Sequence, residues 1–473
     1  MNQETPASVP LDATAGRQLL LDDHLLAQST LVREWATPVQ HPLNPILRPE
    51  TQRDLNGGRC PVAAPFDDGI VYDPETGQWR VWYMSGWFDR TATRTSPDGI
   101  DWHSSNPEEL TGIDYERDGH IIQRDGSSIC HDPTDGGYKM FRWVRERTAS
   151  FTPDDLPRHD TPTIWEGGET FSSRDGRHWQ FEGRTGPCGD NTTIFYDPYR
   201  GHWTFSLRTH LGPYGRGRGW HSGPSLADAS SWREEDVLPW VGSHGFGTGS
   251  TVGDLPAAQI YKVNCVAYES AMLGVFAVYR GPSNDYAEAH GTVKVIDLYL
   301  GISRDGYHFT VAPQPLLSSS QQPGGWDAGY LHMVNGGILP VGEQTRIYYS
   351  GFSGLSPSLG HHMYAGGSMG FATLRRDGFC SLTSGPAGEG HAKSRQLNVD
   401  GKVFYVNAET RTGNITINIT NLDSGKIDSH IVPAGTDSTQ LALSLSESSS
   451  CRNTVEIDFH LTGDAHIYSF WVA

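Results

Sequence analysis

The 473-residue sequence lacks the features that define several classes of protein. It has no dense cluster of Lys and Arg, and its net charge of −19 excludes the basic face that nucleic-acid binding requires. No hydrophobic run is long enough to cross a membrane, and no N-terminal stretch resembles a signal peptide. We therefore expect a soluble protein without nucleic-acid or membrane partners, cytoplasmic unless a signal peptide has been removed.

Cysteine is also scarce, and its distribution argues against a zinc site. The six cysteines are scattered along the chain and form no Cys-x-x-Cys pair. Several lie within apolar strands, where a buried free thiol is the expected state. We predict no metal ligands and no cofactor, and the sequence leaves the oligomeric state open.

Glycine, proline and aromatic residues are abundant by contrast. The chain contains 55 Gly and 29 Pro, and 11% of its residues are aromatic. Aromatic residues favour strands, whereas Gly and Pro favour tight turns. The composition therefore predicts an all-β fold of many short strands.

Two turn motifs recur in alternation along the chain. The first consists of an aromatic residue or His, Asp-Pro, a Gly and an aromatic strand, and its copies begin at Tyr72, His131 and Tyr196. The second is Ser-x-Asp-Gly-x-x-aromatic, with copies that begin at Ser96, Ser173 and Ser303 and a weaker one at 376–379. Asp and Pro initiate a turn and Gly supplies a positive φ, so each copy predicts a hairpin.

Two hairpins per repeat give four antiparallel strands, which make one blade of a β-propeller. We predict five blades, near residues 60–105, 118–182, 186–240, 250–312 and 325–383. The early segment LLLDDHLL, residues 19–26, is expected to close the ring by joining the last blade. A β-sandwich with coincidental turns is the alternative.

The pattern changes after about residue 390. Segments such as NITINITNL and TVEIDFHL alternate apolar and polar residues with a period of two. Strands that are buried on one face show this pattern, and it suits a β-sandwich. We therefore predict a propeller domain over residues 1–390 and a β-sandwich domain over residues 391–473.

The repeats carry a resemblance to known families. The Ser-x-Asp-Gly-x-x-Trp turns resemble the Asp-box hairpins of sialidases, and a five-bladed propeller followed by a sandwich resembles glycoside hydrolase family 32. The inner-strand pattern is similar to that of family 43. The resemblance implies a carbohydrate substrate in the central funnel, acidic residues from different blades as catalysts, and room for a structural Ca²⁺ in that funnel.

One stretch departs from family 32. That family carries its nucleophile in Trp-Met-Asn-Asp-Pro-Asn-Gly, whereas the matching stretch here is Ala-Pro-Phe66-Asp67-Asp68-Gly. Phe66 occupies the position of the nucleophilic Asp, and the Arg-Asp-Pro motif of the family is missing. Fructan specificity therefore does not carry over.

Aligning the blades on their Asp-Pro turns predicts which acidic residues lie close together in the fold. Residues about six positions before each turn should converge at the opposite rim, and these are Asp67, Asp125 and Asp190. Glycoside hydrolysis needs a proton donor and a nucleophile or base, and crowded carboxylates raise one pKa. We predict that these three are catalytic, and the alternative for each is a turn cap.

Further candidates come from the later blades. Asp327 stands beside Trp326 before an inner strand, as in sites where aromatic rings stack on sugars. Glu269 lies in an apolar segment and needs a partner or a role, unless it occupies an exposed turn at the far rim. The predicted catalytic residues are Asp67, Asp125, Asp190, Glu269 and Asp327, and the predicted substrate-binding residues are Asp68, Arg208, His210, Trp326 and His332.

Three functions fit these residues. The leading one is a glycoside hydrolase that acts on an oligo- or polysaccharide through funnel carboxylates. The second is a polysaccharide lyase, with candidates His131, His332, Tyr330 and Arg208, which a funnel rich in His, Arg and Tyr would favour. The third is a non-catalytic carbohydrate-binding propeller, which would lack a carboxylate pair.

Overall fold

The computed structural model describes residues 9–148, 163–212, 215–246, 251–446 and 453–473, and most of them form β-strands. The predicted all-β fold is confirmed. The helical segments are short: α-helices Gln52–Leu55, Leu226–Ser230 and Asn284–His290, and 3₁₀ turns Asn56–Gly58, Glu234–Asp236, Ser243–Gly245 and Gly385–Ala387. None of the helices in these ranges is long and apolar enough to cross a membrane.

Five antiparallel sheets follow one another along the chain. The first contains Ala63–Asp73, Gln78–Ser85, Arg90–Ser96 and Glu108–Glu109, and the second contains Glu116–Arg117, His120–Asp132, Gly137–Arg147, Thr163–Ser173 and Trp179–Arg184. The third contains Thr193–Asp197, His202–His210, Arg216–Gly223 and Leu238–Val241, and the fourth contains Gln259–Tyr268, Ala271–Gly281, Val295–Ser303 and Thr310–Val311. The fifth contains Gly329–Val341, Gln344–Phe352, Ser368–Arg375 and Val39–Gln40.

One strand of each sheet contacts its counterparts in the neighbouring sheets, and these contacts form a closed ring. We call these five the inner strands; they are Ala63–Asp73, His120–Asp132, Thr193–Asp197, Gln259–Tyr268 and Gly329–Val341. Each of the five segments predicted from the turn motifs contains the inner strand of one sheet and the next two strands. The outermost strand lies partly or wholly outside the predicted segment in every sheet except the fourth.

The N-terminal segment joins two parts of the molecule. Val39–Gln40 pairs with Ser368–Arg375 in the fifth sheet. The expectation that residues 19–26 close the ring is wrong, because strands at the two ends of that segment pair with Ala465–Val472 and Glu389–Ser394. The leucines of this segment are buried, and Leu20, Leu25 and Leu26 pack into the core formed by the C-terminal strands.

Two further sheets are formed mainly by the C-terminal part of the chain. The sixth contains Leu11–Asp12, Leu26–Ser29, Glu389–Ser394, Leu397–Val399, Ile415–Asn421, Ile427–Val432 and Asn453–Thr462, and the seventh contains Gln18–Leu19, Val32–Trp35, Cys380–Thr383, Val403–Thr410, Asp437–Ser444 and Ala465–Val472. Apolar residues of both, such as Ile417 and Phe404, pack into one buried cluster. A two-stranded hairpin pairs Leu355–Ser356 with Gly360–His361.

The Ser-x-Asp-Gly motif forms the predicted tight turns. In the first copy the Ser96 hydroxyl accepts a hydrogen bond from the Gly99 N–H at 3.0 Å, and the Asp98 carboxylate accepts one from the Ile100 N–H at 2.8 Å. Gly99 has a φ of 73°, which a side chain would strain. The closing Trp102 is fully buried, so this turn also anchors an aromatic residue in the core.

The inner strands are irregular at one end of the ring. Register shifts interrupt their pairing at residues 64–69, 124–127, 260–262 and 329–332. Three residues at this end, Phe66, Asn191 and Tyr330, have positive φ angles of 57°, 57° and 52°. Bulges re-aim side chains beside active sites, and non-glycine residues in this region of φ are strained. The irregular end is therefore the first place to look for a site.

The described cysteines agree with the expected free thiols. Cys60, Cys130, Cys188, Cys265 and Cys380 form no disulfide. The sixth, Cys451, lies outside the described residues.

Candidate functional site

A cavity of about 630 Å³ opens at the irregular end of the ring. Its lining combines carboxylates, cations and aromatic rings from several sheets. The lining residues include Trp87, Phe88, Asp125, Arg145, Arg147, Glu166, Asp190, Asn191, Arg208, Arg216, Tyr261, Tyr279, Lys294, Tyr330 and Tyr364.

At this end of the ring the structure brings together the three positions that were predicted to converge, those of Asp67, Asp125 and Asp190. A Cβ atom placed on Gly126 would lie 3.3 Å from Asp67 Oδ2 and 3.8 Å from the Cα atom of Asn191. The starts of the first three inner strands therefore meet, as the Asp-Pro turns predict. Asp125 and Asp190 line the cavity, whereas Asp67 does not.

Asp125 is a buried carboxylate with one cationic partner. Its Oδ2 atom accepts a hydrogen bond from Arg145 Nη1 at 3.2 Å, and the residue is 3% exposed. Burial raises the pKa of Asp125 to about 6, against the attraction of Arg145, and the nearby charge of Asp190 adds to the increase. A carboxyl with this pKa can hold a proton close to neutral pH and donate it.

Asp190 has the opposite environment. Its carboxylate bonds to Arg208 and lies 3.6 Å from Arg216 Nη2 and 3.9 Å from Arg145 Nη2. Burial would raise the pKa of Asp190, but Arg216, Arg208 and Arg145 outweigh it and lower the pKa to about 2. Asp190 is therefore an ionised carboxylate across the working range of most enzymes.

The two carboxyls form a linked pair with separated pKa values. Both contact the guanidinium of Arg145, which also lies 3.6 Å from Glu166. Neighbouring carboxyls whose environments push their pKa values apart are the arrangement that supplies an acid and a base in one site.

A second group of side chains lies across the cavity and centres on Tyr261. The Arg216 guanidinium stacks 3.9 Å from the centre of the Tyr261 ring, and the Tyr261 hydroxyl lies 2.9 Å from that of Tyr330. Lys294 Nζ donates to the hydroxyl oxygens of Tyr364 at 2.9 Å and Tyr261 at 3.4 Å. Burial would raise the pKa of Tyr261, but Lys294 and Arg216 lower it below its ordinary value.

Aromatic rings form one wall of the cavity. Trp87 stacks on Tyr364 with ring centres 4.4 Å apart and on Phe88 at 4.2 Å. Aromatic faces pack against the apolar faces of sugars while polar groups bind hydroxyls. This wall was not identified from the sequence, because residues 86–89 lie in a short connection between strands.

Asp67 and Asp68 are engaged in buried ion pairs instead. Asp67 pairs with Lys262, whose Nζ also donates to the backbone oxygen of Phe66 at 2.9 Å. Asp68 pairs with Arg124 at 3.2 Å and accepts a hydrogen bond from Ser127. Neither carboxylate lines the cavity. At the bulge of residues 64–69, Asp68 pairs with the second inner strand and Asp67 pairs with the fourth, which is not adjacent to the first.

Glu269 is not brought to the cavity. It lies in the hairpin between Gln259–Tyr268 and Ala271–Gly281, at the end of the ring that also carries the Asp-Pro turns. Its carboxylate pairs with Arg376 at 2.6 Å and accepts from the Arg17 N–H at 3.1 Å. Glu269 therefore links the fourth sheet to the N-terminal segment. It does not line the cavity, because its hairpin lies at the end of the ring opposite the irregular end.

Asp327 and Trp326 also lie away from the cavity lining. The Asp327 carboxylate accepts a hydrogen bond from Gln40 Nε2 at 2.9 Å, and the Trp326 ring packs on Tyr349. Their loop lies over the outer part of the fifth sheet, where the Trp326 ring covers Gly370.

Of the other predicted substrate-binding residues, some line the cavity and some do not. Arg208 lines the cavity, whereas His210, two residues further on, is exposed and does not. His332 is fully buried beneath the cavity, with its ring centre 4.2 Å from that of Phe66. Burial lowers the pKa of His332 well below its ordinary value, so the imidazole is neutral.

Arg145, Tyr261 and Lys294 were missed in the sequence. Arg145 lies within Gly137–Arg147, Tyr261 lies at the register shift in Gln259–Tyr268, and Lys294 comes just before Val295–Ser303. Only Lys294, a cation beside an apolar strand, carried a signal that could have singled it out. Among the residues that the structure describes, no group of three or more His, Cys, Asp or Glu side chains is arranged to hold a metal ion.

Comparisons with known proteins give remote likenesses. No family model and no curated protein matches the chain. Similar solved structures include an N-acetylgalactosamine deacetylase from F. plautii, with 12% identity over 73% of this chain and 96% of that one and a TM-score of 0.46. They also include a glycosyl hydrolase from Bacteroides ovatus, with 12% identity over 75% and 96% and a TM-score of 0.45. An α-L-arabinofuranosidase from Lactobacillus brevis has 7% identity over 66% and 91%, with a TM-score of 0.45. The activity of this chain therefore has to be argued from its own residues.

Proposed function

We propose that the first five sheets are the blades of a five-bladed β-propeller and that the sixth and seventh form a β-sandwich. The closed ring of inner strands and the shared core of the last two sheets support this interpretation. The domain limits 1–390 and 391–473 then change, because strands on both sides of residue 390 and from the N-terminal segment belong to the last two sheets. We place the propeller at residues 36–379 and the sandwich at residues 9–35 and 380–473.

We propose that the protein is a carbohydrate-active enzyme, specifically a glycoside hydrolase with its active site in the cavity. The observation that carries the proposal is the Asp125–Asp190 pair, in which one carboxyl has a raised pKa and the other a lowered one. Such a pair meets the requirement of glycoside hydrolysis for a proton donor and an ionised carboxylate.

The two carboxyls take different roles in this mechanism. Asp125 donates its proton to the oxygen of the leaving group as the glycosidic bond breaks. Asp190 acts on the opposite side of the sugar, either by attacking the anomeric carbon or by removing a proton from the attacking water. Arg145 contacts both carboxylates and holds them in a fixed relation.

The test replaces two aspartates of the same inner strand, one at the cavity and one at the C-terminal end of the strand. Asp125→Asn should lower kcat/KM by about 10²–10⁴-fold on whichever 4-nitrophenyl glycosides or polysaccharides the wild type cleaves, because the proton donor is lost. Asp132→Asn is the matched control, since Asp132 is also 3% exposed and ends the same strand at the opposite end of the ring. Undiminished turnover in Asp125→Asn would contradict the proposal.

The Tyr261 group favours a second candidate function, a polysaccharide lyase. A lyase removes the proton beside the carboxylate of a uronic acid unit, after which the bond to the leaving oxygen breaks and a carbon–carbon double bond forms. Tyr261 could act as the base, because Lys294 and Arg216 lower its pKa. Tyr330, the tyrosine named from the sequence, suits this role less well, since burial raises its pKa well above the ordinary value.

The two functions give different products. A lyase produces an unsaturated sugar that absorbs ultraviolet light, and Tyr261→Phe should then abolish its formation. A hydrolase releases reducing ends without this absorbance. If ultraviolet-absorbing products form and depend on Tyr261, the function is that of a lyase and the hydrolase proposal is wrong.

A further inference from the structure

The buried charges around the cavity are mostly cationic. Among the described lining residues, those that are at least nine-tenths buried and charged are Arg147, Arg216 and Lys294 on the positive side and Asp125 on the negative side. The remaining lining carboxylates, including Glu166, are more exposed. A buried cation that lacks a full counter-charge is costly unless a ligand supplies one.

Arg216 lines the cavity, and part of the hydrogen-bonding capacity of its guanidinium is unused. The residue is 8% exposed, and its Nε and Nη2 atoms have no hydrogen-bond partner among the described residues. Its nearest carboxylate oxygen, on Asp190, is 3.6 Å away, which is an ion pair but too long for a hydrogen bond. Two N–H groups of one guanidinium form the fork that binds a carboxylate.

Lys294 lies beside the hydroxyl of Tyr261, the ring that Arg216 covers, and it has no acidic partner in the described part of the chain. Its ammonium group donates to two phenol oxygens and lies 4.8 Å from the centre of the Tyr330 ring. Lys294 is 4% exposed, so solvent does little to compensate its charge. The site is thus short of one negative charge between Arg216 and Lys294.

We propose that the cavity selects a sugar that carries one negative charge, a uronic acid unit, whose carboxylate binds to Arg216 and Lys294. The inference rests on the proposed function in one respect, because it places the substrate in the same cavity. It names a substrate class that both the hydrolase and the lyase could use. A sulfate ester has the same single charge but not the planar, two-oxygen shape that the guanidinium fork matches.

The test measures binding, which is independent of turnover. The full-length wild-type protein is titrated calorimetrically with D-glucuronate and D-galacturonate, with the neutral D-glucose and D-galactose, and with D-glucose 6-sulfate, none of which has a glycosidic bond to cleave. We expect at least one uronate to bind at least about tenfold more tightly than its neutral counterpart, and the difference to shrink at high salt. Equal binding of acidic and neutral sugars would overturn the proposal, as would tighter binding of the sulfate ester.

Variants then locate the anion. Arg216→Gln and Lys294→Met should each weaken uronate binding at least about tenfold and leave neutral sugars unaffected. Arg233→Gln, which removes a charge from a side chain that is 82% exposed, is the matched control and should bind as before. Unchanged uronate binding in both cavity variants would overturn the assignment of the carboxylate to Arg216 and Lys294. If either variant fails to fold, the titration of the protein with an intact cavity still tests whether acidic sugars are preferred.

The outcome separates this inference from the proposed function. Uronate binding without hydrolysis of any uronide would contradict the hydrolase but support the inference. Hydrolysis of neutral glycosides without uronate binding would support the hydrolase but contradict the inference.

Discussion

The two ends of the ring of inner strands carry aspartates at matching positions but hold them differently. At the turn end, Asp73, Asp132 and Asp197 border or adjoin a second cavity of about 860 Å³, and each accepts hydrogen bonds from residues two or three positions further on. At the irregular end, Asp125 and Asp190 contact guanidinium groups from other strands and line the first cavity.

The difference shows what separates a structural aspartate from a chemical one in this fold. A carboxylate that bonds to its own turn stabilises that turn and has little capacity left for a ligand. A carboxylate held by distant cations acquires a pKa set by its surroundings and faces open space. The bulge at residues 124–127 creates this second situation for Asp125, whereas Asp190 lies in the connection before Thr193–Asp197.

The largest expected effect concerns Asp190. Asp190→Asn should lower kcat/KM by about 10²–10⁴-fold, because the ionised carboxylate opposite the proton donor is lost. Asp197→Asn, at the turn end of the inner strand that follows Asp190, should remain near the wild-type value. Steady-state kinetics of the two purified variants make the comparison, and equal losses in both would remove the distinction between the two ends.

The next effect concerns stability at the irregular end. Asp67→Asn leaves Lys262 buried without its counter-charge, so the free energy of unfolding should fall by about 3–5 kcal/mol. The double variant Asp67→Asn/Lys262→Met should recover much of this loss, because both charges are then absent. Urea-induced unfolding measures both, and a single variant as stable as the wild type would contradict the account.

The pH profile distinguishes the roles of the two carboxyls. Asp125 must be protonated to donate, so kcat/KM should fall about tenfold per pH unit above a pKa of about 6. Asp190 must be ionised, and its pKa of about 2 places the acidic limb far below that point. A rate that rises with pH through 6 would contradict these roles and favour a base such as Tyr261.

The smallest effect is expected at the turn end. Asp73→Ala removes hydrogen bonds from the Glu75 N–H at 2.9 Å and the Thr76 hydroxyl at 2.8 Å. At this partly exposed turn the loss should be about 1 kcal/mol of unfolding free energy, without a change in kcat/KM. Thermal unfolding and kinetics test both parts, and a large loss of activity would show that the turn end takes part in function.

The fold was accessible from the sequence because its turn signals are local. The hydrogen bonds of the Ser96 turn connect residues within four positions, and the Asp-Pro turns behave alike, so short motifs located the hairpins. The ring-closing strand was missed because Val39–Gln40 has only two residues and no motif. Residues 19–26 have a stronger apolar pattern, but Leu20, Leu25 and Leu26 pack into the C-terminal core, whereas Leu19 and Leu21 pack into a core of the first five sheets.

The candidate site could be predicted only in part from the sequence. Counting back from the turns located Asp125 and Asp190, but it could not distinguish them from Asp67. The partner of Asp67, Lys262, lies 195 residues further along the chain, and the bulge that turns Asp67 toward it breaks the alternation of the strand. Directions of side chains within bulges depend on neighbouring strands, which sequence patterns do not describe.

The central claim, that Asp125 is the proton donor, is tested most directly by varying the leaving group. Wild type and Asp125→Asn are compared on aryl glycosides of one sugar whose phenols range from weakly to strongly acidic. Poor leaving groups need protonation and good ones do not. The account therefore predicts a large loss of kcat/KM for weakly acidic phenols that nearly disappears for dinitrophenol. The same loss for every leaving group would contradict it.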